Sequence, residues 1–440
     1  MSGLAAAALV ASAAFSSPVA VGPVNQHVGV QLVEQADLVE GAWLQFEGPA
    51  GERLVRISEN GHAAPVGLPP QLRDERLRLS PLQNGWTVAV DRYLPPSRAG
   101  EYCCNEIEEP EPNEPGCCDD WVVAEHSPRG RWVVVQALPD SRGNRSWVSE
   151  PVEHHGRIEI AWGEPYEEAV RVTEAPLGQP LKPTRVARHV FPHVSAAGVS
   201  VSVSQRRLYE VAAYGPDGPD EPDFTVERRL YGNGRFGPVH VLRSPLLYQR
   251  GDYFTLPNGS QLYLYSAGNF KLLIARRAPF ASSFERSRLV LPEAEGSPEE
   301  GIAQSFNGRL LITSEEKVPP ESEHERIAAV AVSSAGIPAG ARTIESQPGG
   351  SSRDFSGAIG DGGEWLVATA SWQGGPLWLH PYSPRCRYRE QRITLTKAAV
   401  SHEDAASSVS VGRSGVFHLA WLGDHNQVES ASARVTCARR

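Results

Sequence analysis

Five short charged clusters are spread along the 440 residues: Asp74-Glu75-Arg76, Arg188-His189, Glu299-Glu300, Arg353-Asp354 and His402-Glu403-Asp404. Side chains of these types hold and transform polar ligands. Arginine grips a carboxylate through paired hydrogen bonds, while aspartate, glutamate and histidine can move protons. Several of the clusters stand just ahead of a short run that reads as a β-strand, so a fold that gathers those runs would turn scattered charges into one polar floor. Arg76, Arg188, Arg353, Asp354, His402 and Asp404 are the expected ligand-binding set. Wet loops carry charge as well, so catalytic residues stay unassigned. The chain has no G-x-S-x-G, P-loop, H-E-x-x-H or dinucleotide fingerprint.

The six cysteines form a second reactive set. Cys103, Cys104, Cys117 and Cys118 bracket an acidic insertion at about residues 95–120, while Cys386 and Cys437 lie near the end of the chain. In an oxidising compartment the even count reads as three disulfides: Cys386 with Cys437, and the other four among themselves in one of three pairings. A zinc site is disfavoured, because adjacent cysteines chelate a tetrahedral ion awkwardly and the C-x2-4-C spacing is absent. The insertion is rich in carboxylates but lacks the spacing of a calcium loop, and its prolines favour an extended finger. No metal and no cofactor is expected.

The elements that would position these residues are strands. Eight apolar runs recur: AWLQF from Ala42, WTVAV from Trp86, RIEIAW from Arg157, VSVSV from Val199, QLYLYS from Gln261, RLLIT from Arg309, EWLVATA from Glu364 and VFHLAW from Val416. Most directly follow a glycine, the residue that tolerates the positive φ of a hairpin turn. Small-residue runs come just before three of them, GIAQSF, FSGAI and AASSVSV. Such residues suit inner strands converging on a narrow axis. The irregular period of about 40 to 70 residues predicts an all-β fold, a β-propeller of seven or eight four-stranded antiparallel blades. HVGVQLV, from His27, is the expected N-terminal strand that completes the last blade and removes its exposed edge.

Composition agrees with this architecture. Glycine (41) and proline (36) are plentiful and dispersed, as many short strands with many turns require. The net charge of −10 and the lack of a dense basic patch argue against nucleic acid. The apolar run Leu4 to Phe15 and the small residues after it read as a leader over residues 1–22, with a single domain over 23–440. The run is too short and alanine-rich for a membrane span. A secreted or cell-surface monomer is expected.

Turn glycines, apolar second strands and the turn Asp361-Gly362-Gly363-Glu364-Trp365 together resemble the sialidase-like β-propeller superfamily, whose aspartate box reads S-x-D-x-G-x-T-W. The match keeps the Asp, Gly and Trp but lacks the Ser and Thr, and the box is a structural turn in that family. The resemblance implies an arginine triad, a tyrosine–glutamate nucleophile and an acidic acid/base residue. Arg76, Arg188, Arg250, Arg353, Tyr248 and Asp354 have the right types, but no spacing joins them into a site. The primary expectation is an exported, non-enzymatic propeller that binds a glycan or protein at its channel mouth. The alternatives are a glycoside hydrolase or lyase and a structural module of a surface assembly.

Overall fold

A computed structural model describes residues 9–23, 37–38, 41–49, 51–72, 77–82, 84–93, 120–138, 147–149, 151–154, 156–163, 169–181, 185–188, 196–204, 207–214, 224–230, 236–243, 251–256, 259–267, 271–279, 281–291, 301–317, 324–348, 353–371, 375–386, 388–390, 393–399, 407–423 and 427–439. Among the described residues there are eight sheets, antiparallel apart from one parallel pairing in the last, no α-helix and a single 3-10 turn, Pro70–Leu72. Six sheets are plain four-stranded meanders, such as Ile302–Gln304, Leu310–Lys317, His324–Val332 and Arg342–Pro348 in the sixth. In the third sheet the inner strand is broken into Trp147–Val148 and Val152–His154, both paired to Arg157–Gly163. The described residues therefore supply eight blade-like sheets.

Alternation along the strands gives each sheet two faces, and shared cores join the first sheet to the second, the second to the third, the fifth to the sixth and the sixth to the seventh. In the eighth sheet, Phe417, Leu419 and Trp421 join a core with Leu366, Ala368, Leu377 and Leu379 of the seventh. The intervening Ala420 and Leu422 join Leu44, Phe46, Val55 and Ile57 of the first. The last sheet thus packs on the first. Each fully buried Leu, Phe or Trp in such an interface contributes about 1.5–3 kcal/mol relative to exposure.

Local geometry follows from the turns. In Ser305–Arg309 the Gly308 N–H donates to the Ser305 carbonyl (2.9 Å) and the Ser305 N–H to the Arg309 carbonyl (2.9 Å), with Gly308 at φ 80°. Gly412–Val416 repeats this pattern, with Gly415 at φ 77°. Asp361, the head of the box-like turn, stitches two sheets. Its Oδ1 accepts from the Asn307 N–H (2.8 Å), and its carbonyl accepts from Asn307 Nδ2 and Arg309 Nε (both 3.0 Å).

Two expectations need correction. VSVSV is not a second strand: it lies in Ala196–Ser204, the first strand of the fourth sheet, and Arg207–Tyr214 is the second. The small side chains that mark inner strands at Ser407–Val411 mark this one too. The N-terminal strand completing the eighth sheet is Leu9–Phe15, paired to Gln427–Arg439 from Leu9↔Arg439 to Phe15↔Ala433, with Val19–Pro23 pairing the first part of the same strand. His27 to Val33 lies outside the described residues. The segment read as a leader over residues 1–22 thus supplies a strand to the last sheet, with Ala11 and Ala13 buried.

The Cys386–Cys437 bond is present, with Cα atoms 5.6 Å apart. Cys103, Cys104, Cys117 and Cys118 lie outside the described residues. No helix among the described residues is long and apolar enough to cross a membrane.

Close packing of the inner strands makes one glycine critical. A Cβ on Gly301 would collide with Thr313 Oγ1, lie 2.5 Å from the Thr313 carbonyl oxygen and 2.7 Å from Phe355 Cε2, whereas one on Gly67 would meet nothing within 4 Å. Gly301→Ala is expected to lower the unfolding free energy by about 1–3 kcal/mol. Gly67→Ala should change it by less than about 0.5 kcal/mol. Denaturant midpoints of the two variants check this.

Candidate functional site

The glycine turns joining first to second strands lie at one end of the sheets, because the strands they join are antiparallel. The first residues of the inner strands therefore meet at the opposite end, and this end is the candidate site. Arg353 and Asp354 head the inner strand Arg353–Ile359 of the seventh sheet, in register with Ser371 and Ala370. Three residues further in, Ser356 Oγ is 3.4 Å from Ser407 Oγ at the head of the eighth sheet's inner strand, Ser407–Val411. At about 3.3 Å per residue, Arg353 begins its strand roughly 10 Å outward of that contact, at the rim.

The expected set does not all come together. Arg188 is the last residue of Arg185–Arg188, the outer-edge strand of the third sheet, so its backbone is at the periphery of its blade. Arg76, His402 and Asp404 lie outside the described residues.

One rim residue was missed. Arg78 opens the second sheet's inner strand, is exposed, and holds its guanidinium 5.2 Å from the centre of the Trp121 ring, with Nη1 3.5 Å from the Val148 carbonyl of the third sheet. The alternation Arg76-Leu77-Arg78-Leu79 was the available signal, since a period of two sets the arginines apart from the leucines. Phe355 is half-buried directly after Asp354, its ring edge against Gly301 of the sixth sheet. The opposite, turn end carries a different contact: Arg413 of the eighth sheet's turn lies 4.7 Å over the ring of Phe306 in the sixth sheet's turn. Among the described residues no group of three or more His, Cys, Asp or Glu is placed to hold a metal ion.

With this geometry the chain is an all-β protein of the β-propeller class. No family model matches it, and no curated protein matches it. Solved structures do. A puromycin hydrolase, solved as an S511A mutant complexed with PGG, aligns with a TM-score of 0.52 at 14% identity over 90% of this chain and 59% of that chain. A PL25 polysaccharide lyase described as an ulvan lyase aligns at 0.46 and 9% over 89% and 97%, and an α-L-arabinanase of Penicillium chrysogenum at 0.38 and 11% over 82% and 92%. At these identities the likeness is one of fold. The expectation of a non-enzymatic binding propeller is corrected here: the solved structures that share this fold include a hydrolase, a polysaccharide lyase and an arabinanase.

The titratable groups with displaced pKa values lie between sheets, away from the rim. Glu125 is fully buried; burial raises its carboxyl, and the Gly178 N–H donating to Oε2 at 2.7 Å offsets part of that. His126 sits edge-on to Trp43 and Trp132, each 5.0 Å away, and is lowered by burial and then by Arg56. His418, fully buried with Nδ1 2.8 Å from Ser432 Oγ, is pushed down to about 4 by burial against a smaller upward pull from Glu59. Glu125 joins the second sheet to the third, and His126 packs between the first and second.

His418 gives a signed pH dependence. Below the ordinary histidine pKa of about 6.5 the unfolded chain binds a proton that the folded chain refuses, so stability falls as pH falls toward 4. The loss attributable to His418 should reach about 3 kcal/mol at most. His418→Asn should flatten that part of the profile. Urea unfolding at pH 7, 6, 5 and 4 reads it, and parallel wild-type and variant slopes would refute the assignment.

Proposed function

We propose that the protein is a carbohydrate-active enzyme, a polysaccharide lyase or glycoside hydrolase, that acts on an acidic polymer at the rim where the inner strands begin. The observation that carries this reading is the placement of Arg353 and Asp354 at the head of an inner strand whose neighbour begins at Ser407. Arginine is the side chain suited to a uronate carboxylate. In an elimination, neutralising that carboxylate favours removal of the proton on the adjacent carbon, and Asp354, next in the chain, is the proposed group to accept it. In a hydrolysis, the same aspartate would be one of two carboxylates flanking the bond. Arg78, exposed at the second sheet's rim, suits a further acidic residue of an extended polymer. The Cys386–Cys437 bond favours an extracytoplasmic location. A monomer acting on a glycan completes the reading.

The test is a screen with uronic-acid polymers such as polygalacturonate and alginate. New reducing ends accompanied by ultraviolet absorbance of an unsaturated product mean a lyase, and reducing ends alone mean a hydrolase. Arg353→Ala with Asp354→Ala should lower turnover at least about 100-fold without moving the melting temperature. Deleting residues 105–116 of the acidic insertion should leave turnover unchanged. Unaltered activity in the double variant would overturn the site.

A further inference from the structure

The N-terminal strand occupies an unusual position. Leu9–Phe15 is not an edge: it pairs antiparallel with Gln427–Arg439 on one side and parallel with Tyr388–Glu390 on the other, through Val10↔Tyr388 and Ala11↔Glu390. Tyr388–Glu390 comes from the stretch between the third and fourth strands of the seventh sheet, so the N-terminal strand lies between two different parts of the chain. Cys386 stands just before one flank, and Cys437 lies in the other, opposite Ala11. Their bond joins the two flanks.

We propose that these flanks form a strand-acceptor slot whose occupant is the chain's own Leu9–Phe15 segment, and that the Cys386–Cys437 bond is a redox latch that holds the slot shut. The two sides of the slot are unequal. The long strand offers partners all the way from Leu9 to Phe15, and the Ser16 N–H donates to the Ser432 carbonyl (2.8 Å) while the Ser432 N–H donates to Ser16 Oγ (3.0 Å). The short strand offers only the partners of Val10 and Ala11, so the covalent bond is what holds that flank in place. The seated segment is also part of two cores. Phe15 packs on the cluster containing Trp421 and Leu379, and Val21 on the one containing Leu44 and Phe46. Residues 9–23 are therefore packed as well as paired.

The redox step is simple. A dithiol supplies two electrons and two protons, becomes a cyclic disulfide and leaves Cys386 and Cys437 as two thiols. The short flank can then lift away, and the N-terminal strand exchanges with solvent.

Hydrogen exchange on the full chain tests this, with dithiothreitol as the reductant and a Cys386→Ser, Cys437→Ser variant as a reductant-free control. With the bond intact, residues 9–15 should be as protected as Val416–Leu422. With it reduced or removed, residues 9–15 and 433–439 should exchange at least about ten-fold faster, while Leu310–Lys317 stays unchanged. Unprotected residues 9–15 in the oxidised chain, or equal exchange in both redox states, would overturn the proposal. So would recovery of active protein that lacks these residues, or a dimer in which a second copy supplies the strand.

Discussion

A twisted sheet of four strands has two apolar faces and can bury neither alone. Every other feature of this chain depends on that constraint. The eighth sheet borrows a neighbour for each face, with Phe417 and Trp421 toward the seventh and Ala420 and Leu422 toward the first. Because the series comes back on itself, the interface between last and first sheets joins parts of the chain that are far apart in sequence. No short turn ties that interface. It is held by the shared apolar core, while the N-terminal strand ties the start of the chain into the last sheet.

Convergence of sheets sets a second limit, on side-chain size. Where inner strands approach each other, Gly301 lies against Thr313 and Phe355, and Gly357 has Leu311 and Val367 at its Cβ position. Serines fill the next places, with Ser356 and Ser407 in contact. Small residues thus reflect crowding at the axis, and they leave the larger polar residues for the rim. Crowding explains why the composition of these strands looks like loop sequence although they are central to the fold.

The repeat was legible because the turn geometry is written in residue types: a glycine at positive φ followed by an apolar strand marks Gly85, Gly156, Gly308, Gly363 and Gly415 alike. VSVSV misled because Gly198 precedes it as a turn glycine would, yet Gly198 is part of a strand irregularity opposite Ala213. The closing strand was hidden for a different reason. Alanines such as Ala11 and Ala13 are small because they are packed between neighbours, and the same run of small apolar residues is what a leader needs. Period and composition do not reveal the pairing; the partner strand lies more than 400 residues away. At the rim, Arg353 and Asp354 could be placed from their position before an inner strand, whereas Arg188 looked equivalent and heads nothing: it ends an outer strand. Charge before an apparent strand is therefore informative only when that strand is the inner one.

The two ends of the sheets are chemically unlike, and the difference bears on where a reaction can occur. At the turn end, polar groups are committed to each other: Asp361 to Asn307 and Arg309, Arg434 to the Ser414 carbonyl at 2.6 Å, and Arg413 to the Phe306 ring. Short turns with fixed hydrogen bonds leave little freedom to vary, and a side chain already engaged must give up its partner to engage a substrate. The rim end is joined differently. Its connections are longer, and substitutions there do not disturb the turn hydrogen bonds. A fold that locks one end and leaves the other to its loops can change substrates without changing its core. For that reason the proposed site is placed at the rim, where residues such as Arg353 and Asp354 begin inner strands.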